Sequence, residues 1–295
     1  MRLAAKAIVP AAVLAVAAAA GGVYVTMDDS ASGGVRDTAD TRGGTTLGQV
    51  ARAHVGNPDD PATWRLPVES YMPTKNQISV VTTSRDELID QCMSAAGFDA
   101  WKPAPDLPEL GGKTLTDWRY GLHDGELAAD RGYHPAKGEQ EAYDKVMEAG
   151  AVDESDADEA VLKGCVQKVD GQVPDAVSPD IVQQVSGESF EKSKEAPEVV
   201  DVFAKWSSCM KAKGYDYKQP LDASDNPAFA DPRQVTPEEI ATAKADVACR
   251  DEYDVERTWF DAESKIQRAA IAEHLQEFND AAKATKDAVA KAKAV

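Results

Sequence analysis

Two stretches far apart in this chain share one pattern. Cys92-Met93-Ser94-Ala95-Ala96-Gly97-Phe98-Asp99 and Cys209-Met210-Lys211-Ala212-Lys213-Gly214-Tyr215-Asp216 both read Cys-Met-x-x-x-Gly-aromatic-Asp. A match of that length marks an internal duplication. Ahead of each glycine, apolar residues recur at helical spacing: Leu88, Ile89, Cys92 and Ala96 in the first copy, and Val199, Val200, Phe203, Trp206 and Met210 in the second. Glycine suits the left-handed position that stops a helix, and an aromatic residue just beyond it folds back onto the last turn. The signature therefore predicts two helix C-termini, each with a cysteine about one turn before the stop. The first helix is expected to begin at Arg85, behind the capping box Ser84-Arg85-Asp86-Glu87, and the second at Pro197.

The other two of the four cysteines also sit in helical patterns. Thr236-Pro237-Glu238-Glu239 supplies a cap, a proline at the first helical position and a glutamate at the third, and Ile240, Ala243, Val247 and Ala248 lead on to Cys249. Asp158-Glu159 opens a helix that carries Ala160, Val161, Leu162 and Val166 around Cys165. Of the three connectivities open to four cysteines, the most economical pairs Cys92 with Cys165 and Cys209 with Cys249, one staple in each copy. The Cys-x-x-Cys arrangement of thiol redox enzymes is missing.

Further helices are expected over residues 136–149 and from Pro179 toward Lys194. The segment from Val255 to Ala294 has neither glycine nor proline, and as one helix it would span about 60 Å. Its apolar stripe runs through Val255, Trp259, Ala262 and Ile266, then after a phase shift through Ile271, Leu275, Phe278, Ala282, Thr285 and Val289. That heptad-like seam fits packing on another helix or on a second chain, with an alanine-rich end beyond about residue 280 that projects or frays. Residues 51–83, with prolines at 58, 61, 67 and 73, read as irregular chain, and Ile78-Ser79-Val80-Val81 as a short strand. Prolines 103, 105 and 108 keep residues 103–112 irregular, and Leu115–Asp130 reads as a short helix with turns. The fold class is thus all-α: two disulfide-stapled helical units with a long C-terminal helix. The expected divisions are a signal peptide or membrane anchor over 1–27, a flexible linker over 28–50, a first helical unit with an irregular insertion over 51–195, and a second unit with the final helix over 196–295.

Arg2 and Lys6 precede an uncharged run from Ala7 to Met27 that ends at Asp28 and Asp29. This is the order of an export signal. Small residues at Ala18-Ala19-Ala20 suit cleavage, whereas the length of the run suits a transmembrane helix with N-terminal membrane contact if it is left uncleaved. Either outcome places the remainder outside the cytoplasm, membrane-anchored or secreted to the cell wall. The Gly-, Ser- and Thr-rich sequence after Asp29 cannot bury enough apolar surface to fold and reads as a tether.

With 51 acidic residues against 32 basic ones, the formal net charge is −19. A surface of that sign does not release counterions from nucleic acid, so no nucleic-acid partner is expected. No phosphate loop, dinucleotide fingerprint or nucleophile elbow is present, so no catalytic residue and no cofactor is assigned. His123, Asp124, Asp130 and His134 are metal-ligand types, but their spacing matches no known site, and no metal is assigned. The run Asp153–Glu159 lacks the glycine and the terminal glutamate position of a calcium-binding EF loop, and reads as solvated helix-start carboxylates. Among the five tryptophans, Trp206 and Trp259 lie on helix seams, while Trp64 shows no preference. Trp101 and Trp118 flank the proline-rich insertion and are candidate ligand contacts. Phe98, Trp101, Tyr215 and Tyr217 read as plugs that close each helix pair rather than as grooves.

The repeated Cys-Met-x-x-x-Gly-aromatic signature resembles that of exported, alanine-rich proteins of actinomycetes, which join a signal or anchor helix to an all-helical extracytoplasmic region. The likeness is carried best from Trp206 through the Cys249 helix to Trp259. The first copy departs from it by spacing its cysteines nearly twice as far apart. The resemblance implies a cell-envelope location beside envelope or export components, and it carries over no activity. The expectation is a non-enzymatic envelope-associated binding or accessory protein, engaging an envelope or membrane protein through its helical surface. The alternatives are a cell-wall carbohydrate-binding module that uses Trp101 or Trp118 on wall polymer, and an enzyme acting on that polymer.

Overall fold

The computed structural model describes residues 50–149, 155 and 157–295. Among them lie a two-residue antiparallel ladder and ten α-helices. The ladder pairs β1 (His54–Val55) with β2 (Trp64–Arg65). The helices are α1 (Lys75–Ala95), α2 (Gly125–Arg131), α3 (Lys137–Ala149), α4 (Glu159–Asp170) and α5 (Asp180–Ser193), then α6 (Pro197–Ala212), α7 (Pro220–Ser224), α8 (Pro237–Tyr253), α9 (Val255–Glu273) and α10 (Leu275–Ala292).

Both duplicated helix ends close in the same way. Gly97 and Gly214 adopt φ of 93° and 97°. The Phe98 and Tyr215 N–H groups then donate to the Met93 and Met210 carbonyls at 3.0 and 2.9 Å, and the glycine N–H groups to Ser94 and Lys211. This is the double-bonded Schellman closure, which satisfies carbonyls that a helix end otherwise leaves unpaired. One turn upstream, Cys92 is bonded to Cys165 and Cys209 to Cys249. The staples join α1 to α4 and α6 to α8.

Four local expectations are corrected. Helix α1 starts ten residues before Arg85, because Thr74 and Gln77 form the operating capping box: Gln77 N–H donates to Thr74 Oγ1, and Thr74 N–H to Gln77 Oε1. Ser84 sits buried in mid-helix, and Ile78–Val81 is helical rather than a strand. The helix penalty of β-branched residues is a few tenths of a kcal/mol each, about as much as a fraction of one buried methylene, so the packing of Val81 on α10 overrides it. The C-terminal run is divided at His274, whose φ of −114° and ψ of 25° interrupt the ladder between Ile271 and Leu275 of the apolar stripe. The alanine-rich end does not project: Ala288 and Ala292 pack with Val81, Val173 and Ala176.

None of the described helices is long and apolar enough to cross a membrane, which corrects the transmembrane expectation for this part of the chain. The run Ala7–Met27 on which that expectation rested, and the linker before Val50, lie outside the described residues.

The principal core draws on both sides of position 195/196. Trp64, Leu66, Val68 and Tyr71 from the N-terminal strap, Tyr120, and Val182 and Val185 of α5 pack with Phe203, Trp206, Trp259, Phe260 and Phe278. Trp259 is the hub: its ring lies 4.9 Å from Phe203, 5.0 Å from Phe190 and 5.2 Å from Tyr120. The three core indole N–H groups are satisfied, Trp64 by Asn57 O, Trp206 by Asp246 and Trp259 by Ser193. Satisfying that donor is what lets a tryptophan be buried whole.

Candidate functional site

The most unusual chemistry lies inside the molecule. Helix α8 turns Glu239, Asp246 and Arg250 inward, and α9 turns Glu256, Glu263 and Gln267 inward at the same successive spacings. Glu239, Asp246, Arg250, Glu263 and Gln267 have no solvent exposure. Charges at such depth persist only when paired and fully hydrogen-bonded.

Arg250 donates from Nε to Asp246 Oδ1 at 2.5 Å, from Nη1 to Glu256 at 3.2 Å and to the Tyr120 carbonyl, and from Nη2 to the Pro220 carbonyl at 2.8 Å. Asp246 also accepts from Trp206 Nε1 and from the Tyr133 hydroxyl. A second set centres on Glu263, which accepts from Arg119 at 2.6–3.1 Å, from Tyr120 Oη at 2.8 Å, from Gln267 at 2.7 Å and from Ser189 at 3.3 Å. Tyr120 joins the sets, its hydroxyl on Glu263 and its carbonyl on Arg250. The seam is closed by glycine: Gly121, at φ of 116°, passes so near that a Cβ would collide with the Arg250 guanidinium.

Burial pushes the Asp246 and Glu256 carboxyls up, against the pull of Arg250. Burial also opposes the Arg250 and Arg119 charges, but the neighbouring carboxylates outweigh it and hold both guanidinium groups charged. Burial, reinforced by Glu263, raises the Tyr120 phenol well above its ordinary range. At the edge of the seam, burial raises Glu69 from 4.5 to about 7, with the Leu66 N–H and Arg65 pulling the other way. A carboxyl raised on folding stabilises fully below its unfolded pKa, and that stability is lost as pH rises toward the folded value. Raising the pH from about 4.5 to about 7 is therefore expected to erode stability, and Glu69→Gln, which keeps an acceptor for Leu66 N–H, to flatten that slope. Urea midpoints of both proteins across this range measure it; parallel slopes would refute the assignment to Glu69.

A second polar pair lies nearer the surface. His123 Nε2 is 2.7 Å from Asp117 Oδ1, and Asp117 Oδ2 accepts from Lys113 N–H at 2.6 Å. Burial favours neutral partners here, but the shared hydrogen bond wins, raising His123 and lowering Asp117. The neighbouring Thr116 hydroxyl lies 2.8 Å from the Pro61 and Trp64 carbonyls, so it is engaged in holding the strap. This is an orienting pair, not an assembled nucleophile and base.

The residues singled out from sequence are dispersed. Trp101 is 6% exposed and packs with Ile89, Met93, Cys165 and Val169 under the first staple, so it is a core residue and offers no ligand face. Trp118 is half-buried against the 111–112 turn and a different cluster around Leu122 and Val247. Phe98 packs near Trp101, while Tyr215 and Tyr217 pack against the principal core. Asp124 caps α2, His134 lies 3.3 Å from Glu239, and Asp130 is exposed. In the acidic run, Asp158 caps α4, while Asp153, Glu154 and Asp156 lie outside the described residues. A shallow, open hollow of about 310 Å³ borders α1, lined by Thr83, Asp86, Glu87, Asp90, Lys102 and Pro103.

The interior seam escaped pattern reading, which takes charged residues as marking the solvent side of a helix. The only signal for it is the matching spacing of Glu239, Asp246 and Arg250 with Glu256, Glu263 and Gln267. No protein-family model, curated protein or solved structure matches this chain.

Proposed function

We propose that this chain is a non-enzymatic, extracytoplasmic binding or accessory protein of the cell envelope, acting through contact with another protein. The observation that carries this reading is the pair of staples, which join α1 to α4 and α6 to α8 and leave no free cysteine. Disulfides used in that way belong to oxidising compartments, in keeping with the export-type order of the N-terminal sequence. The strongest charge constellation supports the same reading, since its members are spent on one another beneath the surface. The burial of Trp101 counts against a carbohydrate-binding module built on that residue.

The test is a crosslinked pull-down from envelope extract, with the full chain produced in an oxidising compartment as bait. Enrichment of one protein partner, lost when the disulfides are reduced, is the expected result. Enrichment of wall polymer alone would refute the reading in favour of a polymer binder.

A further inference from the structure

The first half of the N-terminal strap is clasped to the body by a single turn. Thr116 Oγ1 lies 2.8 Å from the Pro61 and Trp64 carbonyls, and its neighbour Asp117 is held from both sides. One Asp117 oxygen accepts from Lys113 N–H at 2.6 Å, and the other meets His123 Nε2 at 2.7 Å. These contacts draw residues 113–123 into the turn that presents Thr116 to the strap. Little water reaches the pair, since the His123 and Asp117 side chains are 17% and 8% exposed. Acidic groups face His123 from the surrounding elements: Asp60 from the strap, Glu256 from the start of α9, and Asp251 from the end of α8, with Asp59 near Asp251. The neighbouring cations are engaged elsewhere. Arg250 is bonded to Asp246 and Glu256, and Lys113 pairs with Glu139. Asp124, next in sequence, caps α2. The protonation of His123 therefore decides how well the acids of this junction are balanced.

From this placement we propose that His123 is a pH-sensitive catch on the strap: charged, it steadies Asp117 and the Thr116 clasp on residues 57–65, and uncharged, it lets that half of the strap open. His123 is a positioning residue, acting through its neighbours. A neutral imidazole still donates a hydrogen bond to Asp117, but it no longer offsets the carboxylates around it, and unbalanced charge costs more in a dry site than in water. Burial opposes the charge on His123, yet the bond to Asp117 and the facing acids outweigh it and raise the group above its ordinary 6.5. A histidine raised on folding stabilises fully below its unfolded pKa, and that contribution is lost as pH rises through the folded value. The catch therefore holds under mildly acidic conditions and loosens above neutrality. Because Trp64 rests 5.1 Å from the Phe260 ring, opening uncovers an apolar part of α9. This is a local opening that leaves the rest of the fold in place.

The test follows hydrogen exchange of the full, disulfide-bonded chain from about pH 6 to about pH 9, corrected for the intrinsic rate, in E69Q and in E69Q/H123Q. The E69Q change keeps the carboxyl at the far end of the strap from titrating in the same window. In E69Q, protection of residues 57–65 is expected to fall about threefold or more across this range while that of α6 holds. In E69Q/H123Q, whose glutamine amide can still donate to Asp117, protection of 57–65 should sit at the lower value throughout. Imidazole NMR of E69Q makes the test independent of whether the double variant folds: the His123 ring should titrate with the midpoint of strap opening. A flat profile in E69Q, an equal fall in α6, a slope that survives H123Q, or an imidazole midpoint apart from that of strap opening would each overturn the catch.

Discussion

Replacing Arg250 by methionine is expected to cost about 3–5 kcal/mol of folding free energy, the range for breaking a buried ion pair from one side. The reason lies in what remains. Asp246 and Glu256 keep their carboxylates with no cation beside them, and the Tyr120 and Pro220 carbonyls lose their donor. Methionine fills much of the same volume, so the loss reports charge and hydrogen bonding rather than a cavity. The sign of the pH response is a further check. Without Arg250 both acids gain stability by taking up a proton, so the R250M deficit should shrink as pH falls. Adding Asp246→Asn to R250M should recover part of it, since the amide still meets Trp206 and Tyr133. Urea denaturation from pH 5 to pH 8 measures all three proteins. A deficit under about 1 kcal/mol that ignores pH would show that the seam contributes little to stability.

The second large effect concerns the staples, which are not expected to be equivalent. For loops of these lengths the chain-entropy model gives about 4 kcal/mol each. Their surroundings differ, however. Cys249 is fully buried in the principal core, next to Arg250, whereas Cys92 and Cys165 belong to a satellite cluster with Ile89, Met93 and Trp101. C209A/C249A should therefore lower the global unfolding midpoint. C92A/C165A should release α4 locally, since that helix is held mainly on α1. Hydrogen exchange separates the cases: fast exchange confined to α1 and α4 in C92A/C165A, and faster exchange throughout α5–α9 in C209A/C249A. Uniform exchange in both variants would mean that the molecule unfolds as one unit and that the satellite has no independence.

What was legible in the sequence follows from how local each signal is. The Gly97 and Gly214 closures, the Thr236-Pro237 start of α8 and both cysteine pairings depend on residues within a turn or on economy of pairing, and all are found as read. Pattern reading starts α1 too late because two capping boxes compete, at Thr74 and at Ser84, and packing on α10 makes the longer helix favourable. Within residues 51–83, read as irregular, the strap has no period: Trp64, Val68 and Tyr71 become core residues by meeting α9 and α10, far along the chain. Trp101 reads two ways for a related reason, as a ligand contact beside the prolines and as a plug of the first helix pair, and its packing fits the plug. A tryptophan beside prolines looks exposed until the α1–α4 staple is closed over it.

That strap also orders events in time. The Val68 N–H meets Gln267 Oε1 across 199 positions, and Tyr71 meets Phe278 at 5.0 Å. Whether the chain emerges from a ribosome or from a translocation pore, these N-terminal residues appear first and must wait until α9 and α10 have followed. Contacts of such sequence separation form late, after the loop entropy has been overcome. For that interval Trp64, Leu66 and Tyr71 are uncovered, and the chain is most open to aggregation and proteolysis. The maturation of this protein is therefore governed by its last helices, and a truncation that removes α10 should leave its earliest residues without a place to settle.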